Sequence, residues 1–314
     1  MHSWPSVRRS SPVANRTGGV TRIDGLAIGV MALLCTIWAV QQVASKVALT
    51  EGMPPFFQAL ARGTVAAALL LGWVGLRQGR AGLRRVVTPD RSWWPGLLLA
   101  LLFAGEFLLL FPGVQRTTAS RAVVLLFTGP FFTAIGAHLL VPAERLRPVH
   151  AAGLVLAFLG VTATLADADP GGSLLGDTLV LGAAVLWGFT TVVVKASPSL
   201  ARLDAPRLLI YQTVGALPFM LVATIASQEF AWPHATGRAW AALGYQCVVV
   251  AFASYLTWYW LVTKYPVGKL SAFTLLTPLI GVVAGWALLG DSLGWPIAAG
   301  LCCVVVGLWI VNRR

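Results

Sequence analysis

Two opposite charges lie within apolar stretches of the chain: Arg62 in LARGTV and Glu106 in LFAGEFLLL. If both stretches are membrane-spanning helices, Arg62 lies about 9 Å and Glu106 about 12 Å from the same membrane face. A charge at such a depth costs roughly 3 kcal/mol or more, so we expect the two side chains to pair. The pair either fixes helix packing or borders a substrate path in which Glu106 takes up a proton.

Two other stretches each carry a tryptophan, a polar residue and a lysine at intervals of four. The triplets are Trp38, Gln42 and Lys46 in the first stretch and Trp187, Thr191 and Lys195 in the second. Helical spacing puts each triplet on one face, and a polar face on an apolar helix is expected to point into the bundle. Each lysine lies near a predicted helix end, so snorkelling to the membrane surface is the alternative.

Several further residues are candidates for a substrate path. Pro130 and Pro278 fall within predicted spans, where a proline frees a carbonyl and allows a kink that either hinges a gate or shapes the bundle. Aromatic and amide side chains can line a cavity and stack on an organic substrate, or they can serve as packing and interface anchors. These side chains are Gln41, Tyr211, Gln212, Tyr255 and Trp258.

The elements that position these residues follow from the composition. The chain is 57% hydrophobic and 11% charged, which indicates a polytopic membrane protein in which helices satisfy the backbone within the bilayer. Apolar runs of the required length predict an all-α membrane protein of about ten transmembrane helices. The predicted spans are 25–48, 56–76, 93–114, 119–141, 149–166, 175–196, 208–227, 239–262, 268–289 and 295–311.

Charge asymmetry orients these spans. Lys and Arg total 23 against 11 Asp and Glu, but the basic residues cluster in short connections between apolar runs, which favours membrane orientation over nucleic-acid binding. Both termini are predicted to be cytoplasmic, since only Arg116, Arg121 and Arg238 among the connecting basic residues then fall outside. Residues 1–23 are predicted to form a disordered cytoplasmic arm, and the plasma (inner) membrane is the expected location.

The two halves of the chain resemble each other. Residues 24–166 and 175–311 each contain five predicted spans, and several features recur in the same order at a nearly constant offset. The matched features are Trp38 and Lys46 with Trp187 and Lys195, Pro130 with Pro278, Glu144 with Asp291, and Gly153 and Gly160 with Gly300 and Gly307. An odd number of spans per unit makes the second copy enter the membrane from the opposite face, an arrangement typical of secondary transporters.

With these motifs the chain resembles the EamA-type members of the drug/metabolite transporter superfamily over about residues 24–311. The resemblance rests on the Trp and Lys pairs, Arg62, the two proline-containing spans and AERL at Glu144. Where the family often has Asn shortly after the first Trp, this chain has Gln41 and Gln42. The resemblance implies a cavity lined by the first four spans of each half, with the fifth and tenth spans peripheral. It also implies export or exchange of amino acids, other metabolites or drugs.

The motifs of other function classes are missing from the sequence. It contains no HExxH, no GxSxG elbow and no glycine-rich phosphate loop, so we expect no enzyme activity, metal or cofactor. The expected partners are a small-molecule substrate and membrane lipid, without nucleic acid. Proton coupling, oligomeric state and the direction of transport stay open at this point. A non-transporting membrane protein, such as an intramembrane enzyme or a receptor, remains the alternative.

Overall fold

Helices are the only regular elements in the computed structural model, which describes residues 23–88, 90–117, 119–164, 173–230, 232–281 and 295–313. The helices are α1 Gly25–Thr50, α2 Pro55–Val87, α3 Trp93–Val114, α4 Ala119–Leu126, α5 Gly129–Leu140, α6 Pro148–Thr164, α7 Leu174–Ala196, α8 Ala205–Ala226, α9 Gly237–Tyr245, α10 Tyr255–Lys264, α11 Val267–Phe273, α12 at 276–281 and α13 Trp295–Asn312. A π-helical segment, Gln246–Ser254, joins α9 to α10 without a break. Residues 1–22 of the predicted arm, Asp291 and residues 282–289 of the ninth predicted span lie outside the described residues.

Seven helical stretches within these ranges are long and apolar enough to cross a membrane, and three more are apolar but shorter. The shorter ones are Pro148–Ala163, Val267–Gly281 and Cys302–Asn312. An all-helical membrane fold is therefore confirmed, whereas the exact count of ten spans stays a prediction. The third predicted span agrees with α3 residue for residue, and α2 continues well beyond its predicted end at residue 76.

Side-chain caps fix where several helices begin. The carboxylate of Asp24 accepts a hydrogen bond from the Ala27 N–H at 2.9 Å at the start of α1, and Ser173 caps α7 by accepting from the Gly176 N–H at 3.0 Å. Caps of this kind satisfy backbone donors that have no partner within the helix. The first turn of each of these helices is thereby fixed at the point where the chain enters an apolar run.

The last helix of the first half, α6, packs antiparallel against the last helix of the second half, α13, and glycines form the contact. A Cβ on Gly153 would lie 2.8 Å from the carbonyl oxygen of Gly307, and a Cβ on Gly160 would lie 2.6 Å from that of Gly300. In the sequence repeat Gly153 matches Gly300 and Gly160 matches Gly307. Replacing each glycine of one contact by its match in the other half therefore gives the other contact. This reciprocity agrees with a two-fold relation between the halves, and the superposition of the complete halves stays a prediction.

A short turn lies within each of the two proline-containing spans. The first is interrupted at residues 127–128 and the second at residues 274–275. At each break a threonine hydroxyl donates to a carbonyl three residues earlier: Thr128 to Leu125 and Thr274 to Ser271, both at 2.6 Å. Pro130 lies in the first turn of α5, and Pro278 follows its break at a similar distance. Each interruption lies within one helical turn before its proline, and the kinks expected at Pro130 and Pro278 stay predictions.

We predict that Gly160→Ala lowers the thermal unfolding temperature in detergent micelles by several degrees. The new methyl group would overlap the Gly300 carbonyl and force α6 and α13 apart, at a cost of about 1–3 kcal/mol. Gly29→Ala is the matched control, because a Cβ there would meet no atom within 4 Å. Equal melting temperatures for the two variants would contradict the glycine-mediated packing.

Candidate functional site

A small cavity lies near the middle of the molecule between α2, α3, α8 and the junction of the π-helical segment with α10. Its lining residues are Ala59, Arg62, Gly63, Phe103, Phe107, Thr213, Ala216, Leu217, Met220, Ala251 and Tyr255. The cavity volume is about 20 Å³, which is enough for a water molecule but far below the several hundred Å³ that an organic metabolite fills. In this conformation the cavity is too small to hold an organic metabolite.

Arg62 is the charged residue of the cavity wall, and it is only 6% exposed. Its guanidinium lies over the ring of Phe107, 4.9 Å from the centroid, and Nη2 donates to the Tyr255 hydroxyl over a long distance of 3.4 Å. No carboxylate forms an ion pair with it among the residues described. The guanidinium thus lies at the cavity wall between the Phe107 ring and the Tyr255 hydroxyl.

The predicted direct pair between Arg62 and Glu106 is wrong. Glu106 is buried at 9% exposure on α3, and its charge interacts with Arg62 and with the hydroxyls of Tyr255 and Tyr259, but no ion pair forms. The two residues are nevertheless close enough to interact electrostatically. Height does not fix the direction in which a side chain leaves its helix, and Arg62 is directed at Phe107 and Tyr255.

On one side of the cavity, a chain of neutral hydrogen bonds joins α1, α2 and the π-helical segment. The Ser45 hydroxyl donates to Gln246 Oε1, Gln246 Nε2 donates to Gln58 Oε1, and Gln58 Nε2 donates to the Met53 carbonyl, each at 3.0 Å. Gln58 directly precedes the cavity residue Ala59 on α2. We call this chain, Ser45–Gln246–Gln58, the amide seal.

Glu229 strengthens the same side. One carboxylate oxygen accepts from the backbone N–H groups of Phe56 at 2.7 Å and Phe57 at 3.3 Å, capping the first turn of α2. The Thr224 hydroxyl, at the end of α8, donates to the Phe56 carbonyl at 3.2 Å. Together these contacts tie the last turn of α8 to the first turn of α2.

On the opposite side of the cavity, charged and hydroxyl groups join the first turns of α3 and α8. Asp90 pairs with Arg207 at 2.7 Å, and the hydroxyls of Ser92 and Tyr211 are 2.7 Å apart. Hydrogen bonds from the side chain and backbone of Ser92, together with Arg207, lower the pKa of Asp90, so this carboxylate is ionised near neutral pH. We call this group, Asp90, Ser92, Arg207 and Tyr211, the ionic seal.

The structure brings some predicted residues into or near the cavity and leaves others out. Tyr255 lines it with Arg62, whereas Tyr211 belongs to the ionic seal and packs against Gly96, where a Cβ would lie 2.5 Å from the ring. Gln212 accepts a hydrogen bond from the Tyr259 hydroxyl in a buried pair. Trp258 packs edge-on against Trp38, with ring centroids 5.7 Å apart.

The predicted stripe on α1 faces the bundle only in part. The Trp38 Nε1–H donates to Ser254 at 3.0 Å and Gln41 is half-buried, but Gln42 and Lys46 are exposed. Four-residue steps advance about 40° each around a helix, so Lys46 is rotated about 80° from Trp38. Ser45, seven residues from Trp38, returns to the same face and joins the amide seal instead.

The corresponding stripe on α7 is enclosed. Trp187 packs against Gly129, where a Cβ would lie 2.4 Å from its ring, and the buried Thr191 donates to the Gly188 carbonyl at 3.3 Å. Lys195 lies at the end of α7 near Glu144, which accepts from the Gly268 N–H at 3.2 Å. Burial raises the pKa of Glu144, and the backbone N–H groups of Gly268 and Val267 and the charge of Lys195 oppose that rise.

Sequence reasoning missed both seals and the π-helical segment. Gln58 and Gln246 are amides in apolar runs and could have been recognised by the same argument that selected Arg62. Asp90 lies in a polar connection and carries no comparable signal. The π-helical segment has an ordinary apolar sequence, although such segments often occur at functional sites.

The fold defines a helical integral membrane protein, and comparison with known proteins specifies its class. A solved crystal structure matches with a TM-score of 0.74 and 19% identity over 91% of this chain and 95% of that one, which shows a shared fold. The model of the EamA-like transporter family matches residues 25–166 and 174–313. The chain therefore belongs to the EamA-like transporter family.

Relatives carry transporter names. The uncharacterized transporter YvbV of Bacillus subtilis (strain 168) is 29% identical over 90% of both chains. Proteins named probable amino-acid metabolite efflux pump are 27% identical in Salmonella typhimurium and 26% identical in Escherichia coli, each over 90% of this chain and 93% of the relative.

We predict that weakening either seal opens the cavity to one side only. In a variant with cysteine at Ala216, a cavity residue, Asp90→Asn should speed labelling by a membrane-impermeant thiol reagent from the side of the ionic seal. Gln58→Leu should speed it from the side of the amide seal, because an apolar side chain cannot bond to Gln246. Labelling rates in right-side-out and inside-out vesicles measure this. Equal acceleration from both sides in either variant would contradict the assignment.

Proposed function

We infer that this protein is a secondary transporter that exports small metabolites with a carboxylate and an apolar body, amino acids foremost, by alternating access. The observation that carries this proposal is the burial of Arg62 at a small cavity, with no ion-pair partner among the described residues. A guanidinium removed from water is costly unless an anion joins it, and its planar donors match a carboxylate in a bidentate manner.

The remaining cavity wall supports an apolar body on the substrate. Phe103, Phe107, Leu217 and Met220 offer rings and aliphatic groups, and the Tyr255 ring packs edge-on against Phe103 with centroids 6.2 Å apart. Gly63 and Ala216 also line the wall, and a Cβ on Gly63 would lie 3.1 Å from the Leu217 side chain. A substrate with several further charges would find no partners on this wall.

Glu106 supplies the second charge near the site. It flanks the cavity on α3 and interacts electrostatically with Arg62. Two roles are consistent with this position: it binds the ammonium group of an amino acid, or it takes up a proton that drives exchange. The two roles make different demands on the substrate and can be separated by experiment.

The two seals support alternating access. One lies at the start of α2 and the other at the start of α8, and we take them to close the cavity on its two sides. The proposed inverted repeat relates these two helix starts, so that opening one seal and closing the other exchanges the conformations of the two halves. With both termini in the cytoplasm of the plasma (inner) membrane, the ionic seal faces inward and the amide seal outward.

The names of the relatives favour export over uptake. Two of them are described as amino-acid metabolite efflux pumps, and transporter names recur among the others. These names also favour transport over the alternative of an intramembrane enzyme or a receptor.

The proposal is tested directly by transport in proteoliposomes with a panel of amino acids, nucleosides and cationic drugs, with and without a pH gradient.

We predict that Arg62→Ala reduces the transport of an apolar amino acid such as leucine by about 10–100-fold. Loss of a hydrogen bond to a charged group costs about 1.5–3 kcal/mol. Transport of leucine amide, which lacks the carboxylate, should change much less. Arg116→Ala removes an exposed arginine and is the control. A uniform loss for both substrates would contradict a carboxylate-binding role for Arg62.

For Glu106→Gln we predict one of two distinct outcomes. If Glu106 binds the ammonium group, transport of leucine falls about 10–100-fold while that of its deaminated acid is retained. If Glu106 carries a proton, transport of both substrates loses its pH dependence while binding is retained. Initial transport rates of both substrates, measured from about pH 5.5 to about pH 8.5, separate the two roles. Groups with perturbed pKa values commonly titrate in this range. Unchanged rates and pH profiles for both substrates would exclude Glu106 from the mechanism.

A further inference from the structure

The end of α2 is longer than a membrane crossing requires. Residues 55–78 extend about 36 Å at 1.5 Å per residue, whereas the hydrocarbon core is about 30 Å thick. Gly79 then adopts φ 62° and ψ −162°, a backbone conformation that other residues rarely adopt, and helix continues from there to Val87. The segment after Gly79 therefore lies at the level of the lipid headgroups, in a direction different from the span.

This short segment is amphipathic. On its inner side Val86 packs against the main hydrophobic core, and the Leu83 side chain reaches Gly75, where a Cβ would lie 3.4 Å away. On its outer side and just before the turn are four exposed arginines. We define the arginine cluster as Arg77, Arg80, Arg84 and Arg85. The segment is thus held on the protein by its apolar side and presents its charge outward.

The arginine cluster has no compensating acid. No Asp or Glu occurs between Glu51 and Asp90 in the sequence, and the Asp90 carboxylate is already engaged by Ser92 and Arg207. Arg80 and Arg84 are one helical turn apart, where like charges repel. No ion pair involves the cluster within the described ranges. An external anion would relieve this repulsion.

Exposed apolar groups beside the cluster favour a lipid over a soluble anion. Leu76 is 91% exposed one residue before Arg77, and Trp94 is 80% exposed at the start of α3, which follows the segment. Tryptophan commonly lies at the headgroup level of a bilayer, and Leu76 at this height contacts acyl chains. Neither group would contribute to binding a free phosphate ion.

We propose that the arginine cluster binds the phosphate groups of anionic phospholipids and so anchors the segment 80–87 to the membrane surface. Arginine pairs with phosphate in a bidentate manner, and several basic residues beside a span are typical of anionic-lipid binding. The segment leads directly into the connection that carries Asp90, so bound lipid also restrains the base of the ionic seal. This role is independent of the substrate and goes beyond the proposed function.

The test is lipid binding by the purified full chain in a neutral detergent. Dioctanoyl phosphatidylglycerol and dioctanoyl phosphatidylcholine are titrated separately, and binding is followed by native mass spectrometry. The variant Arg80→Gln, Arg84→Gln, Arg85→Gln is compared with Arg145→Gln, Arg147→Gln, Arg202→Gln, which removes the same charge from other exposed positions. Thermal unfolding of each variant verifies that it is folded, and Arg84→Gln alone replaces the triple variant if that one does not fold.

We expect the unmodified chain to prefer phosphatidylglycerol by about tenfold or more, the cluster variant to lose this preference, and the control variant to keep it. An undiminished preference in the cluster variant would overturn the proposal, as would an equal loss in the control. Displacement of the lipid by equimolar inorganic phosphate would assign the site to a soluble anion. Tighter binding of a poly-glutamate peptide would assign it to an acidic protein partner, and both results would refute the lipid assignment.

Discussion

A positive charge that cannot leave the interior constrains the centre of this molecule. Arg62 is anchored on a helix long and apolar enough to cross the membrane, and it is only 6% exposed. The surrounding helices provide partial compensation through the Phe107 ring, the Tyr255 hydroxyl and the more distant charge of Glu106. None of these contacts satisfies the donors as a carboxylate would, which leaves a charged wall available for a ligand.

The peripheral helices make a different contribution, because they hold the halves together without taking part in the cavity. Glycines in α6 and α13 allow the two backbones to approach until carbonyl oxygens nearly contact the opposite Cα atoms. In lipid, where apolar side chains gain nothing by leaving the solvent, such close packing is a main source of helix association. This pair can serve as a fixed axis while the inner helices rearrange around the cavity.

The sequence was sufficient for the class of fold and for most element positions, since the length of an apolar run and the positions of caps are local properties. Arg62 and Tyr255, both singled out in the sequence, line one cavity with Glu106 nearby, but the expected ion pair was wrong because helical depth does not determine side-chain direction. The outward positions of Gln42 and Lys46 arise from the rotation that four-residue steps accumulate. The ionic seal depends on contacts between α3 and α8, which no local pattern encodes.

The two seals differ in how they respond to dissolved salt. The amide seal consists of neutral hydrogen bonds, and mobile ions scarcely affect such bonds. The ionic seal contains the Asp90–Arg207 pair, in which the Asp90 side chain is 45% exposed, so counterions within a screening length of about 8 Å at physiological ionic strength weaken it. Electrolyte on the face of the membrane where α3 begins therefore loosens that face selectively, and the molecule reacts asymmetrically to ionic strength although its two halves share one architecture.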